Sequence, residues 1–207
     1  MPQILAEILR PASFNDLVLD EHVKKKLEKM HHDKNVMNMI FYGKPGNGKT
    51  SAAKMFTEKD KFDAIFINGS LDTTIENIRS KVMSFANTMS LFDCPKICVI
   101  DESDYLSKSA QASLRGVIEE TSSNCRYLFT ANSLDKMHPA LLSRLLAINF
   151  DMTVSQIKNE LEKYKIRMIE QLKKMHPSID ESRVIRIIEV NYPDYRVIAQ
   201  KIEFELI

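Results

Sequence analysis

The chain has 207 residues, 44% hydrophobic and 28% charged, with a formal charge of +1. That is globular composition, enough for one large or two small domains, and it excludes a disordered or low-complexity chain. So small a net charge means that any nucleic-acid binding must come from a local patch, and no apolar run approaches the roughly eighteen residues of a membrane span.

The opening residues, Met1-Pro2-Gln3-Ile4-Leu5-Ala6-Glu7, lack the basic and then apolar regions of a secretory signal. An intracellular, cytoplasmic protein without a membrane partner is expected. His31-His32-Asp33 are adjacent at a helix end, and neighbours on a helix do not face one site, so no metal is expected there.

Apolar runs with strand character fall at 37–42, 64–68, 96–101, 126–131 and 146–150. Helical patterns alternate with them. Ile75, Ile78, Val82, Phe85 and Met89 recur at three- and four-residue steps, as do Ala110, Leu114, Val117 and Ile118. Alternating strands and helices predict an α/β fold, a five-stranded parallel sheet sandwiched by helices. The unbroken apolar run Ile97-Cys98-Val99-Ile100 fits a strand covered on both faces.

Directly after the first strand, residues 43–50 read GKPGNGKT, the full G-x-x-x-x-G-K-[ST] pattern. Gly43, Lys44, Pro45, Gly46, Asn47 and Gly48 form the loop, and Ser51 opens the helix behind it. Gly46 and Gly48 let successive N–H groups turn toward phosphate oxygens. Lys49 brings a charge to the outer phosphates, and the Thr50 hydroxyl can ligate Mg²⁺. The third strand ends in Asp101-Glu102. There Asp101 can hold Mg²⁺ through its water shell and Glu102 can polarise an attacking water. Thr130-Ala131-Asn132 ends the fourth strand and sets a polar Asn132 beside the γ-phosphate if these strands are neighbours. Cys94, Cys98 and Cys125 form no C-x-x-C pair and read as reduced thiols.

After Asp151 the strand pattern stops. Helices are expected over 155–175, with Thr153 or Ser155 as cap, then over 181–191 and from 194 to about 204. The apolar stripe Ile157, Leu161, Tyr164, Met168, Leu172 and Met175 predicts the core of a small bundle. The expected division is a nucleotide-binding domain over 1–151 and a helical lid over 152–207.

In this order the phosphate loop, the Asp-Glu strand, the Thr-Ala-Asn strand, Ser143-Arg144 and the three-helix tail resemble an AAA+ ATPase. Residues 9–18, LRPASFNDLV, are similar to the RP-x-x-F-x-x-L/V opening of sliding-clamp loader subunits. Phe66-Ile67-Asn68-Gly69-Ser70 and Ala110-Gln111 with Leu114-Arg115 and Glu119 resemble the same family. Ser122-Ser123-Asn124-Cys125 and Tyr192-Pro193-Asp194-Tyr195-Arg196 look most like large clamp-loader subunits of T-even-type phages, whose location is the host cytoplasm.

The resemblance implies ATP and Mg²⁺ as cofactors. It implies other loader subunits, a ring-shaped clamp and primer–template DNA as partners. By the same resemblance, Arg10 and Pro11 flank the adenine with Val18 and Val23, and Arg144 is an arginine finger that reaches a neighbour's ATP. Arg196 is a lid-borne sensor, Asn132 a γ-phosphate sensor, and Gln111, beside Arg115, couples DNA-facing helices to the acidic strand. Thr73, Thr74, Arg79, Lys81, Ser107 and Lys108 are candidate DNA backbone contacts. Two departures stand out: the finger sits in Ser143-Arg144-Leu145 instead of Ser-Arg-Cys, and Asp72-Thr73-Thr74 replaces a basic residue before the second helix of the sheet domain. The helical collar of such loaders is expected to be absent from this chain. Alternatives are a branch-migration or origin-type ATPase, a loader subunit that does not hydrolyse, and a small-molecule kinase.

Overall fold

The structure is a computed structural model that describes residues 5–71, 75–90 and 94–207. Its centre is a parallel sheet of β1 (Met39–Tyr42), β2 (Asp63–Asn68), β3 (Lys96–Asp101), β4 (Cys125–Ala131) and β5 (Leu146–Asn149). The order is β2-β3-β4-β1-β5. The register aligns the carboxyl ends: Asn68 lies opposite Asp101, and Tyr42 lies between Ala131 and Asn149. Every residue of the interior strand β3 is buried, whereas the edge strands β2 and β5 are largely half-buried or exposed. The neighbours β2 and β3, and β3 and β4, are joined by helical crossovers, as parallel pairing demands.

Side chains alternate across the sheet with a period of two. Cys98, Ile100 and Phe129 face one layer, where Ile78 and Val82 of α4 (Ile75–Asn87) meet Leu114, Val117 and Ile118 of α5 (Lys108–Glu120). Ile97, Val99, Leu128 and Phe41 face the other. That layer holds Leu27 of α2 (Glu21–His32), Ala52 and Ala53 of α3 (Lys49–Met55), and Phe56. His31 is buried here against Phe14, Phe56 and Phe62 and bonds the Met55 carbonyl at 3.0 Å. The short helix α6 (Pro139–Leu142) completes this part of the fold, and α1 (Leu5–Ile8) lies against the C-terminal helices.

Two sequence expectations need correction. Met37 is half-exposed and precedes β1, so the first strand is shorter than 37–42. Met89 does not continue the α4 stripe: the helix ends at Asn87 and Met89 is 92% exposed. Periodicity alone does not locate a helix end when no glycine stop follows.

The C-terminal segment is α7 (Val154–Met175), α8 (Glu181–Asn191) and α9 (Tyr195–Leu206). Thr153 and Gln156 form a capping box at α7, while Asp180 and Asp194 cap α8 and α9 through their side chains. Tyr164, Met168 and Leu172 of the expected stripe are buried with Val184, Ile188, Ile198 and Ile202. Leu5, Leu9 and Val18 join this cluster, so the N-terminal segment packs on the C-terminal helices. A buried ion pair, Lys24 to Glu160 at 2.7 Å, ties α2 to α7. Among the described residues, no helix is long and apolar enough to cross a membrane.

Candidate active site

The carboxyl edge of the sheet opens into a cleft of about 620 Å³ that the α9 end of the helical segment closes from above. Its volume lies in the usual range for small-molecule pockets, and its position is where open α/β sheets hold ligands. The loop between β1 and α3 forms its floor. Gly43, Gly46 and Gly48 all have positive φ, at 142°, 82° and 85°. At Gly46 a side chain is barred twice: the conformation is left-handed, and a Cβ would collide with the Asp194 carboxylate.

Lys49 is 8% exposed, and its Nζ donates to the carbonyls of Gly43 at 2.7 Å and Lys44 at 2.8 Å. Burial pushes the Lys49 ammonium below its ordinary range, and the nearby carboxylates Asp151, Asp104 and Asp101 oppose that shift. Thr50 Oγ1 donates to Asp101 at 2.9 Å, and Thr130 Oγ1 donates to the same carboxylate at 2.6 Å. Glu102 follows in the left-handed region, φ 54° and ψ 41°, held by its N–H to Thr130 Oγ1 at 2.9 Å. A non-glycine residue in that region carries strain of about 1–3 kcal/mol, and such strain concentrates at functional sites. Asp104 accepts from the Asn132 N–H at 3.2 Å, while its Oδ1 is buried without a hydrogen-bond partner among the described residues.

The structure brings together in this cleft Arg10, Pro11, Pro45, Gly46, Gly48, Lys49, Thr50, Ser51, Asp101, Glu102, Asn132 and Arg196. Gly43, Lys44 and Asn47 support the loop from behind without lining the cleft, and Val18 is buried with the C-terminal helices. Only the Val18 backbone approaches the site, by donating to the Tyr195 hydroxyl.

Arg144 is remote from the cleft of its own chain. Its Nε donates to Glu119 Oε1 at 2.8 Å and one NH group to Ala140 O at 2.7 Å. Gln111 is fully buried. Its amide donates to the carbonyls of Leu106 at 3.0 Å and Lys136 at 3.2 Å, and its oxygen accepts from His138 N–H at 2.6 Å. It thereby joins α5 to the segments that follow Glu102 and Asn132. Arg115 is exposed, 3.6 Å from Glu119. Arg79 and Lys81 are exposed on α4; Ser107 caps α5, and Lys108 donates to Lys136 O at 2.7 Å. Thr73 and Thr74 lie outside the described residues.

Residues 39–154 match the family described as "ATPase family associated with various cellular activities (AAA)". The chain belongs to this AAA family. It is therefore a nucleotide-binding chain, with the phosphate loop and acidic strand inside the matched segment. A sliding-clamp-loader large subunit of Escherichia phage RB69 is 32% identical over 197 residues, covering 93% of this AAA chain and 61% of that protein. Replication factor C subunit 3 of Schizosaccharomyces pombe is 31% identical over 196 residues, 92% of this chain and 56% of that one. The chain thus spans about three fifths of the curated relatives it matches. Among solved structures, the Aeropyrum pernix ORC1 protein in complex with DNA superposes with a TM-score of 0.63 at 16% identity, over 94% of this chain and 61% of that one, a likeness of fold.

Sequence reasoning missed several residues of this AAA site. Thr130 orients both acids, and strand alternation gives the signal: it lies two residues before Asn132, so both share one face. Tyr195 lies inside the phrase 192–196 but carries no expected task, and Asp104, two residues past the acidic pair, carries no sequence signal of its own. Asp151 was read only as a boundary, yet it bonds the phosphate loop.

Proposed function

We propose that this chain is an ATPase subunit of a sliding-clamp loader, using ATP binding and hydrolysis to open a ring-shaped clamp and place it on primer–template DNA. The observation that carries the reading is the 32% identity to a sliding-clamp-loader large subunit across 93% of this chain. The cleft supports it, since the phosphate loop, two acids, Asn132 and Arg196 all line one space.

ATP takes the cleft, its phosphates over residues 46–51 and its adenine toward Arg10 and Pro11. Lys49 meets the outer phosphates. Thr50 and Asp101 suit a divalent ion, because their oxygens are hard donors 2.9 Å apart. Thr50 and Asp101 would hold Mg²⁺, which would supply charge neutralisation at the phosphates. Glu102 accepts a proton from the attacking water, Asn132 senses the γ-phosphate, and Arg196 closes the lid on it. Arg144, directed away from its own cleft, serves the site of a neighbouring subunit. Gln111 links the acidic strand to α5, whose start, with α4, meets DNA phosphates through Arg79, Lys81, Ser107 and Lys108. We divide the chain into a sheet domain, 1–151, and a lid, 152–207.

The test is steady-state ATPase with the loader's other subunits, measured with and without clamp and primer–template DNA. Turnover rises when both are added. Turnover indifferent to clamp but raised by branched DNA would move the chain to the branch-migration reading.

A further inference from the structure

We propose that Asp151 is a positioning residue for the phosphate loop: it braces residues 43–47 in the curl that presents the loop to phosphate. The proposal rests on the reading that this loop binds the phosphates of ATP.

The sheet register delivers Asp151 to the loop. Tyr42 pairs with Asn149, and the Phe150 N–H donates to the Tyr42 carbonyl at 2.7 Å. The residue after Phe150 therefore lies beside Gly43. Its own N–H is fixed by Asn149 Oδ1 at 2.9 Å. Asp151 Oδ1 then accepts two hydrogen bonds, from the Lys44 N–H at 2.8 Å and from Asn47 Nδ2 at 2.9 Å. Asn47 is 5% exposed and its amide also donates to the Phe150 carbonyl at 3.2 Å. The fit extends to Gly43, where a Cβ would come within 2.9 Å of Asp151 Oδ1 and 3.1 Å of its nitrogen.

The residues so gripped are the ones that hold the charge. Lys49 Nζ donates to the carbonyls of Gly43 and Lys44. The Asp151 carboxylate thus reaches Lys49 in two ways. It holds the Gly43–Lys44 peptide, whose carbonyl is one of the two on which the ammonium rests, and its charge opposes the effect of burial on that ammonium. Hydrogen bonds to an ionised acceptor are the stronger kind, and Asn47 shields one of these two. Asp151 also stands two residues before the Thr153 cap of α7, so the brace fastens the loop to the start of the helical segment.

The experiment is calorimetric titration of the 207-residue chain with Mg·ATP. Asp151→Ala weakens binding about tenfold, the loss of roughly one net charge-assisted hydrogen bond. Asp151→Asn stays within about twofold, because the amide oxygen accepts the same two bonds. Combining Asp151→Ala with Asn47→Ala costs clearly less than the product of the single effects, since both remove one shared bond. If Asp151→Ala does not fold, Asn47→Ala alone reads the brace: binding weakened about threefold supports it, and wild-type binding overturns it. Wild-type binding by Asp151→Ala, or Asp151→Asn as weak as alanine, overturns the proposal. Lys49→Ala is the reference. If it binds like wild type, the phosphate-loop reading fails and takes the brace with it. If it loses binding while Asp151→Ala does not, the brace alone is wrong.

Discussion

Gln111→Leu removes the most connected buried polar side chain near the cleft while keeping most of its volume. Gln111 is 0% exposed. Its oxygen is the acceptor for His138 N–H at 2.6 Å, and its amide serves the Leu106 and Lys136 carbonyls at 3.0 and 3.2 Å. Leucine satisfies none of these. A buried group left unpaired costs about 1–3 kcal/mol; with the Leu106 carbonyl in that range and the half-buried His138 N–H near its low end of about 1 kcal/mol, the loss is about 2–4 kcal/mol. For a chain of this size each kcal/mol lowers the midpoint by about 2–4 °C, so thermal unfolding followed by circular dichroism falls by about 5–15 °C. Gln111 does not line the cleft, so Mg·ATP affinity at 20 °C stays within about threefold of wild type. In an assembled loader the stimulation by clamp and DNA is lost, because α5 no longer grips the segments behind Glu102 and Asn132. A midpoint within about 2 °C of wild type would refute the burial argument. A normal midpoint drop with undiminished stimulation would refute the coupling role.

Lys49→Ala removes the ammonium proposed to meet the phosphates. Calorimetry then detects no Mg·ATP binding at 100 µM ligand, while the circular dichroism spectrum is unchanged. Glu102→Gln retains ATP affinity and lowers turnover by about 10²–10⁴, since the water loses its proton acceptor; unchanged turnover in an assembled loader removes Glu102 from that role. Mixing Arg144→Ala with Glu102→Gln subunits restores part of the turnover that each lacks alone, because an intact Arg144 then meets an intact Glu102. No recovery where wild type assembles and turns over contradicts a finger acting in trans. Burial raises Cys98 well above the usual thiol range and pushes Cys125 up to about 11. At pH 8 a disulfide reagent therefore labels Cys98 and Cys125 only on unfolding, which mass mapping of labelled peptides reads directly.

Much of the fold was legible because its signals are local. The apolar runs, the glycine spacing of residues 43–50 and the acids closing β3 each sit within a few residues of one another. The sheet then brings them together by register, as Asn68 beside Asp101 illustrates. What could not be read is what depends on partners distant in the chain. Asp151 meets Lys44 across 107 positions, and the Tyr195 hydroxyl meets the Val18 N–H across 177. Neither carries a pattern of its own. Lys24 is one of three consecutive lysines with nothing local to set it apart, yet it is buried on Glu160. The strained backbone at Glu102 is equally invisible in sequence, because it is imposed by the Thr130 hydroxyl from the neighbouring strand. The Leu5 and Leu9 packing on the C-terminal helices follows from the return of the chain over the cleft, which no periodicity encodes.

In the function proposed, ATP in this cleft prepares a clamp-binding surface. The most direct test is capture of the sliding clamp from the same genome by the full-length gene product with its loader subunits, compared in Mg·ATP and Mg·ADP. The account predicts clamp recovered with ATP, little with ADP, and none with ATP when the subunit carries Lys49→Ala. Equal recovery in both nucleotides, or no clamp in either from an assembled complex, would contradict it.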